Sequence, residues 1–320
     1  MKFLLMIFVS MSLTALADSV KKSPTLDGII NVISAGDFRG PIEVNPEGFE
    51  RAKAKVYFPN QYETRENWPL VVLLHGFKAT AEEEDLYMTL RFRTSRRGFI
   101  LLTPQGTPTP NGTRSAEGED YSGKQFWNAT DFCCDFAKTK VDDVKYLNSL
   151  IDFMATHYRI DQKRIYLIGH SNGGFMANRL ACENGERFAA IASLAGGSFK
   201  NPAACRHPTP VSYLQIHAED DQTVVFGDDP QYAGGQATVQ QWMDKDHCVG
   251  APTTAKMDSF PTLFFGPKTQ LQSWDDCQSG KTLALWKMLP HPGVHYDPHI
   301  PNLTWFFSER VLDFLFAHQL

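Results

Sequence analysis

The stretch RIYLIGHSNGGFMANRLAC, residues 164–182, decides how the rest of the chain is read. RIYLI is a short, continuous apolar run, the pattern of a strand buried on both faces. Gly173 to Cys182 reads as a helix. Between the two stands G-x-S-x-G, from Gly169 to Gly173. A strand that turns straight into a helix forces the central residue into a strained conformation, with no room for side chains beside it. Glycines supply that room. The serine oxygen then projects from a sharp corner, close to the N–H groups of a helix N-terminus. Ser171 is therefore the candidate nucleophile.

Working outward, LVVLL (70–74) ends at His75-Gly76, and FILLT (99–103) is closed by Pro104. Ala52 to Phe58 alternates like a strand. Phe188 to Leu194, Val211 to Ile216 and Thr282 to Met288 are further strands. From Val141 to His157, apolar residues at 141, 144, 147, 150, 151 and 154 make one helical face. Ala237 to Asp246 and Leu303 to Phe316 also read as helices, and Pro104 to Gly123 as a polar Pro/Gly-rich loop. Residues 18–50 have weak periodicity. Strands alternating with amphipathic helices imply an α/β fold, a mostly parallel sheet with helices on both faces. Ligands of such sheets bind beyond the carboxyl ends of the strands.

A serine hydroxyl needs a base within hydrogen-bond reach and an acid to orient that base. The strand–turn–helix corner is the nucleophile elbow of α/β-hydrolases, where the partners follow in the order Ser, Asp or Glu, His. After Val211–Ile216 comes His217-Ala218-Glu219-Asp220-Asp221, and Asp221 is the chosen acid, with Glu219 and Asp220 as its alternatives. His247, His291, His295, His299 and His318 qualify as the base by order. His295 is chosen because Gly293 lets its loop approach the site, with His291 and His299 next. His75 and His170 are expected to shape local turns. A tetrahedral intermediate needs two aimed N–H donors, expected from Asn172 and from Phe77 in the loop after the early strand.

Composition bounds the rest. The chain has 320 residues, 42% hydrophobic and 21% charged, which excludes global disorder. With 31 basic against 36 acidic residues there is no cationic surplus for nucleic acid. Residues 1–17, with Lys2, an apolar run from Phe3 to Val9 and Ala15-Leu16-Ala17, read as a signal peptide. Residues 18–320 then form one exported catalytic domain, extracellular or periplasmic and free of the membrane after cleavage. The length leaves no room for a separate polymer-binding module, which favours soluble substrates. Six cysteines fit an oxidising compartment. A Cys248–Cys277 bridge would staple a Pro- and Gly-rich excursion, whereas Cys133 and Cys134 are expected to pair with distant partners. No zinc-type cysteine spacing occurs. Asn111, Asn128 and Asn302 begin N-x-S/T sequons.

The sequence resembles the secreted polyhydroxybutyrate depolymerase-like and feruloyl-esterase-like group of α/β-hydrolases. The matching segments are LLHGF (73–77), RRGFILLTPQG (96–106), FWN (126–128) followed by CC (133–134), VDDVKYLNSLID (141–152), 164–182 and RFAAIASLAG (187–196). IHAEDDQTV (216–224) and GVHYDP (293–298) match more loosely. The resemblance implies a Ser171–His295–Asp221 triad and a Trp127 that helps line the site. It implies no metal or organic cofactor. Where the group has HG before the acid loop, this chain has His217-Ala218. Val294 is an insertion and Tyr296 replaces the usual aromatic. The expected activity is a serine esterase on small or oligomeric esters, first of all polyhydroxybutyrate-type oligoesters, with feruloyl or acetyl groups on plant polysaccharide as the alternative. The rival from another class is an inactive hydrolase-fold binding protein.

Overall fold

A computed structural model describes residues 38–206, 209–257, 268–290 and 305–320. The expected signal peptide and the chosen base His295 lie outside the described residues. Ten strands form the main sheet: β1 (Arg39–Val44), β2 (Ala54–Phe58), β3 (Trp68–Leu74), β4 (Ile100–Thr103), β5 (Ile160–His170), β6 (Ala190–Leu194), β7 (Ser212–Ala218), β8 (Thr253–Met257), β9 (Thr269–Trp274) and β10 (Leu283–Met288). Their order is β1-β2-β4-β3-β5-β6-β7-β10-β9-β8. The central six, from β4 to β10, are parallel, and the two flanks are antiparallel. The apolar runs read from sequence supply these central strands. The antiparallel pair β8–β9 falls in the excursion that carried no strand signal.

Alternation along each strand divides the core. Leu70, Val72 and Leu74 join one apolar cluster with Leu147, Leu150, Ile151 and Met154 of α2 (Asp143–His157), and with Phe175, Met176 and Leu180 of α3 (Asn172–Asn184). Val239 and Trp242 of α4 (Gly235–Asp246) complete that face. Val71 and Leu73 turn the other way, toward the cluster holding Tyr87 and Met88 of α1 (Ala81–Met88) and Val311, Leu312 and Leu315 of α5 (Trp305–Phe316). Helix α2 starts two residues later than its apolar pattern because the Asp142 side chain accepts from the Lys145 N–H and caps it. The last helix is pinned by buried Arg93, which pairs with Glu309 at 2.8 Å, and by Arg97 with Asp313 at 2.8 Å.

The chain runs from β3 to its neighbour β4, then crosses to β5 on the other side of β3. This reversal opens a crevice at the carboxyl ends of β3 and β5. Leu74 pairs with Gly169, so His75-Gly76 emerges beside His170-Ser171. His170 pairs with Leu194, Leu194 with Ile216, and Ala218 with Met288. The four segments that matter for chemistry leave the sheet along one edge.

Three disulfides join Cys133 to Cys134, Cys182 to Cys205 and Cys248 to Cys277. The last is the bridge expected from sequence. The first corrects the expectation of distant partners: Cys133 and Cys134 bridge each other, joined by a cis peptide that brings their Cα atoms to 3.0 Å. Three bridges fit an oxidising compartment. Among the described residues no helix is long and apolar enough to cross a membrane.

Cys248–Cys277 spans 29 positions and encloses β8 and β9. Replacing both cysteines with serine is expected to cost about 3 kcal/mol through the freed chain entropy, read as a lower midpoint in urea unfolding.

Candidate active site

Ser171 sits at the corner between β5 and α3 with φ 52° and ψ −118°. A non-glycine residue held there is strained, and the surroundings keep it so. Its N–H donates to the Leu194 carbonyl at 2.8 Å, and its own carbonyl accepts from Phe175 at 3.0 Å. A Cβ on Gly169 would lie 2.0 Å from the Gly173 carbonyl oxygen, and one on Gly173 would lie 2.1 Å from that of Leu74. The spacing of the motif is thus a packing requirement. Asn172, Gly173 and Gly174 open the helix, and their N–H groups belong to the turn that lacks intrahelical acceptors.

The loop after β3 passes directly over this corner. A Cβ on Gly76 would stand 3.5 Å from the Ser171 Cβ. Buried His75 holds the loop. Its Nε2 accepts from the Gly106 N–H at 2.9 Å, so Nδ1 carries the hydrogen and donates to the Gly76 carbonyl at 2.7 Å. Burial lowers the imidazole to about 4, keeping this neutral form. With the Gly76 carbonyl turned toward His75, the trans peptide directs the Phe77 N–H the opposite way. Glu84 of α1, also buried, accepts from the Gly76 N–H at 3.2 Å and from His170 Nδ1 at 3.1 Å. His75 and His170 therefore shape the turns, as the sequence suggested. Glu84 went unrecognised, because nothing in the acidic run Glu82–Asp85 marks which carboxylates turn inward.

Trp127 takes a different part from the lining role implied by resemblance. Its ring is fully buried, and Nε1 donates to the His75 carbonyl at 3.0 Å. Its backbone is clasped by Asn172: Oδ1 accepts from the Trp127 N–H at 2.7 Å, and Nδ2 donates to the Trp127 carbonyl at 2.9 Å. Asn172 Nδ2 also lies 3.3 Å from the Cys133 sulfur. The residue after Ser171 is thereby tied to the disulfide loop.

The acid loop separates the three carboxylates that sequence left open. Glu219 is exposed and pairs with Lys287 at 2.8 Å, and Asp220 is only half-buried. The Asp221 side chain is fully buried. Its Oδ1 accepts from the N–H groups of Thr223 at 2.8 Å and Val224 at 3.0 Å. Its Oδ2 stands 3.4 Å from His217 Nε2. That histidine is a brace: Gln215 Nε2 donates to its Nδ1 at 2.8 Å, and its Nε2–H donates to the Val224 carbonyl at 2.7 Å. The Glu219 N–H donates to the Met288 carbonyl at 2.9 Å, so the end of β10 lies beside the acid loop. His291, His295 and His299 lie outside the described residues. Among the described residues, no cluster of His, Cys, Asp and Glu could hold a metal ion.

A family model described as "Putative esterase" matches residues 49–260. The chain belongs to this esterase family. It is 24% identical over 247 residues to a bifunctional acetylxylan esterase/xylanase of Neocallimastix patriciarum, covering 77% of this chain and 32% of that one. It is 22% identical over 245 residues to feruloyl esterase B of Piromyces equi, covering 73% and 41%. The chain thus spans well under half the length of these relatives. Among solved structures, acetyl xylan esterase from Aspergillus awamori superposes with a TM-score of 0.57 at 16% identity, covering 86% of this chain and 98% of that one. The likeness shows the α/β-hydrolase fold.

In this esterase-family chain the neutral His75 sets a pH window. Its pKa falls from about 6.5 unfolded to about 4 folded. Between those values the unfolded chain binds the proton, so the His75 contribution is complete above pH 6.5 and is lost as the pH drops toward 4. His75→Gln is expected to lower the urea midpoint at pH 8, with the gap to wild type closing by up to about 1.4 kcal/mol per pH unit below 6.5. Gly169→Ala, which drives a methyl into the Gly173 carbonyl, is expected to yield insoluble protein or to cost about 3 kcal/mol or more, read by soluble yield and thermal unfolding.

Proposed function

We propose that this chain is an exported serine esterase that cleaves carboxylic esters through Ser171, His295 and Asp221. The strained Ser171 corner, packed against a helix N-terminus without room for side chains, carries the reading. His295 accepts the Ser171 hydroxyl proton as Oγ attacks the ester carbonyl carbon. The resulting oxyanion is held by the N–H groups of Phe77 and Asn172. Collapse breaks the bond to the alcohol, which leaves with the proton from His295. A water molecule then gives its proton to His295, attacks the acyl-enzyme, and releases the carboxylic acid while Ser171 regains its hydrogen. Asp221, braced by the Thr223 and Val224 N–H groups, orients the imidazole and stabilises its charged form. The chemistry calls for no metal or organic cofactor.

For substrate, the names of the relatives favour acyl groups carried on plant polysaccharide, acetyl or feruloyl, over polyhydroxybutyrate-type oligoesters. Export rests on the signal-like residues 1–17 and on the three disulfides.

Ser171→Ala is expected to reduce turnover of p-nitrophenyl acetate by at least about 10³-fold and to abolish labelling by a fluorophosphonate probe. Full turnover in that variant, or a folded wild-type protein that takes no label, overturns the assignment and favours a binding protein on the same scaffold. Acetylated xylan, methyl ferulate and hydroxybutyrate oligomers compared on one preparation decide the acyl class.

A further inference from the structure

Three loops beyond the strand ends each contribute one aromatic ring to a single cluster. Phe77 follows β3, Tyr121 lies in the long 104–123 loop, and Phe136 follows the Cys133–Cys134 pair. Phe77 stands edge-on to both partners, with ring centroids 4.9 Å from Tyr121 and 5.1 Å from Phe136. Tyr121 and Phe136 are 5.8 Å apart and tilted by 37°. Phe136 is 44% exposed, and the other two are half-buried. A phenyl ring left in water forgoes much of the burial free energy that a core phenylalanine gains. An exposed aromatic ring backed by two half-buried ones makes a continuous apolar patch, a kind of surface that binding commonly covers.

The cluster is neither remote nor loose. The residue before Phe77 is Gly76, where an added Cβ would stand 3.5 Å from the Ser171 Cβ. The Lys78 N–H donates to the Gln125 carbonyl at 2.9 Å, which ties the β3 loop to the second loop. The third is clamped by the bonds of Trp127 and Cys133 to Asn172. A polar rim borders the rings: Lys78 Nζ lies 4.8 Å from the Tyr121 centroid and pairs with Glu119 at 2.6 Å, both partly in solvent.

We propose that this aromatic shelf is the subsite for a sugar ring in the alcohol portion of the ester, an assignment that rests on the esterase reading above. A pyranose offers a C–H face to Phe136 and Tyr121 and hydroxyls to Lys78 and Glu119. A polyester chain has the apolar surface but no hydroxyls for the charged rim. The ring of a hydroxycinnamoyl group would match the rings but brings the rim a phenolic hydroxyl where a pyranose brings several hydroxyls.

The test uses Phe136→Ala, an exposed position that the core does not need, with Phe136→Tyr as the conservative variant. Acetylated xylo-oligosaccharides are expected to lose about tenfold more kcat/KM than p-nitrophenyl acetate, through KM, and Phe136→Tyr is expected to restore most of it. Titration of xylohexaose into Ser171→Ala protein is expected to show binding that Phe136→Ala weakens to a similar degree. Equal losses on both esters, a greater loss on methyl ferulate than on the sugar esters, or no xylohexaose binding overturns the proposal. A protein that turns over no ester yet binds xylohexaose through Phe136 would sink the esterase reading and leave the shelf standing.

Discussion

One close approach governs this molecule: the backbone of Gly173, at the start of α3, lies against the Leu74 carbonyl at the end of β3. No side chain fits between them. The approach requires β3 and β5 to be adjacent and in one register, with Leu74 opposite Gly169. It forces Ser171 into its positive φ and carries the His75-Gly76 loop over the serine. Sheet order, register and corner strain are one constraint seen at three scales. Loss of any of them would leave the serine an ordinary surface hydroxyl with no donors around it.

Around that corner, buried polar groups hold loops in position. His75 fixes the Gly76 peptide, Glu84 holds its N–H, Asn172 clasps Trp127, and His217 supports the Asp221 loop. Each makes at least one hydrogen bond to main chain, which fixes a loop peptide in a buried setting where an unmade bond is costly. The result is a frame of hydrogen-bonded loops above the sheet that surrounds Ser171 on several sides. Trp127 belongs to this frame.

Legibility in the sequence followed the range of the interactions. The apolar runs at 70–74, 99–103 and 164–168 named their strands because a strand buried on both faces leaves an uninterrupted local signature. The face of α2 was equally plain, its start fixed by Asp142. Strands β8 and β9 left no such mark: they lie at the sheet flank, and the residues between the two termini of β9 are only half-buried. Glu219, Asp220 and Asp221, among which the sequence reading chose Asp221, differ in their surroundings: burial and two backbone donors set Asp221 apart. The Cys133–Cys134 bridge went against expectation because nothing in the local sequence marks the cis peptide between the two cysteines.

By itself the sequence determined the fold class and singled out Ser171 as the candidate nucleophile, because both are written in short-range patterns: buried runs, helical spacing and glycines flanking one serine. It also bounded the acid and base by chain order. Tertiary structure alone decided which carboxylates are dry, which histidines serve as braces, and that residues 77, 121 and 136 share one surface. Those facts depend on which distant segments meet at the edge of the sheet. Such meetings follow from strand order and register, and no local stretch of residues encodes them.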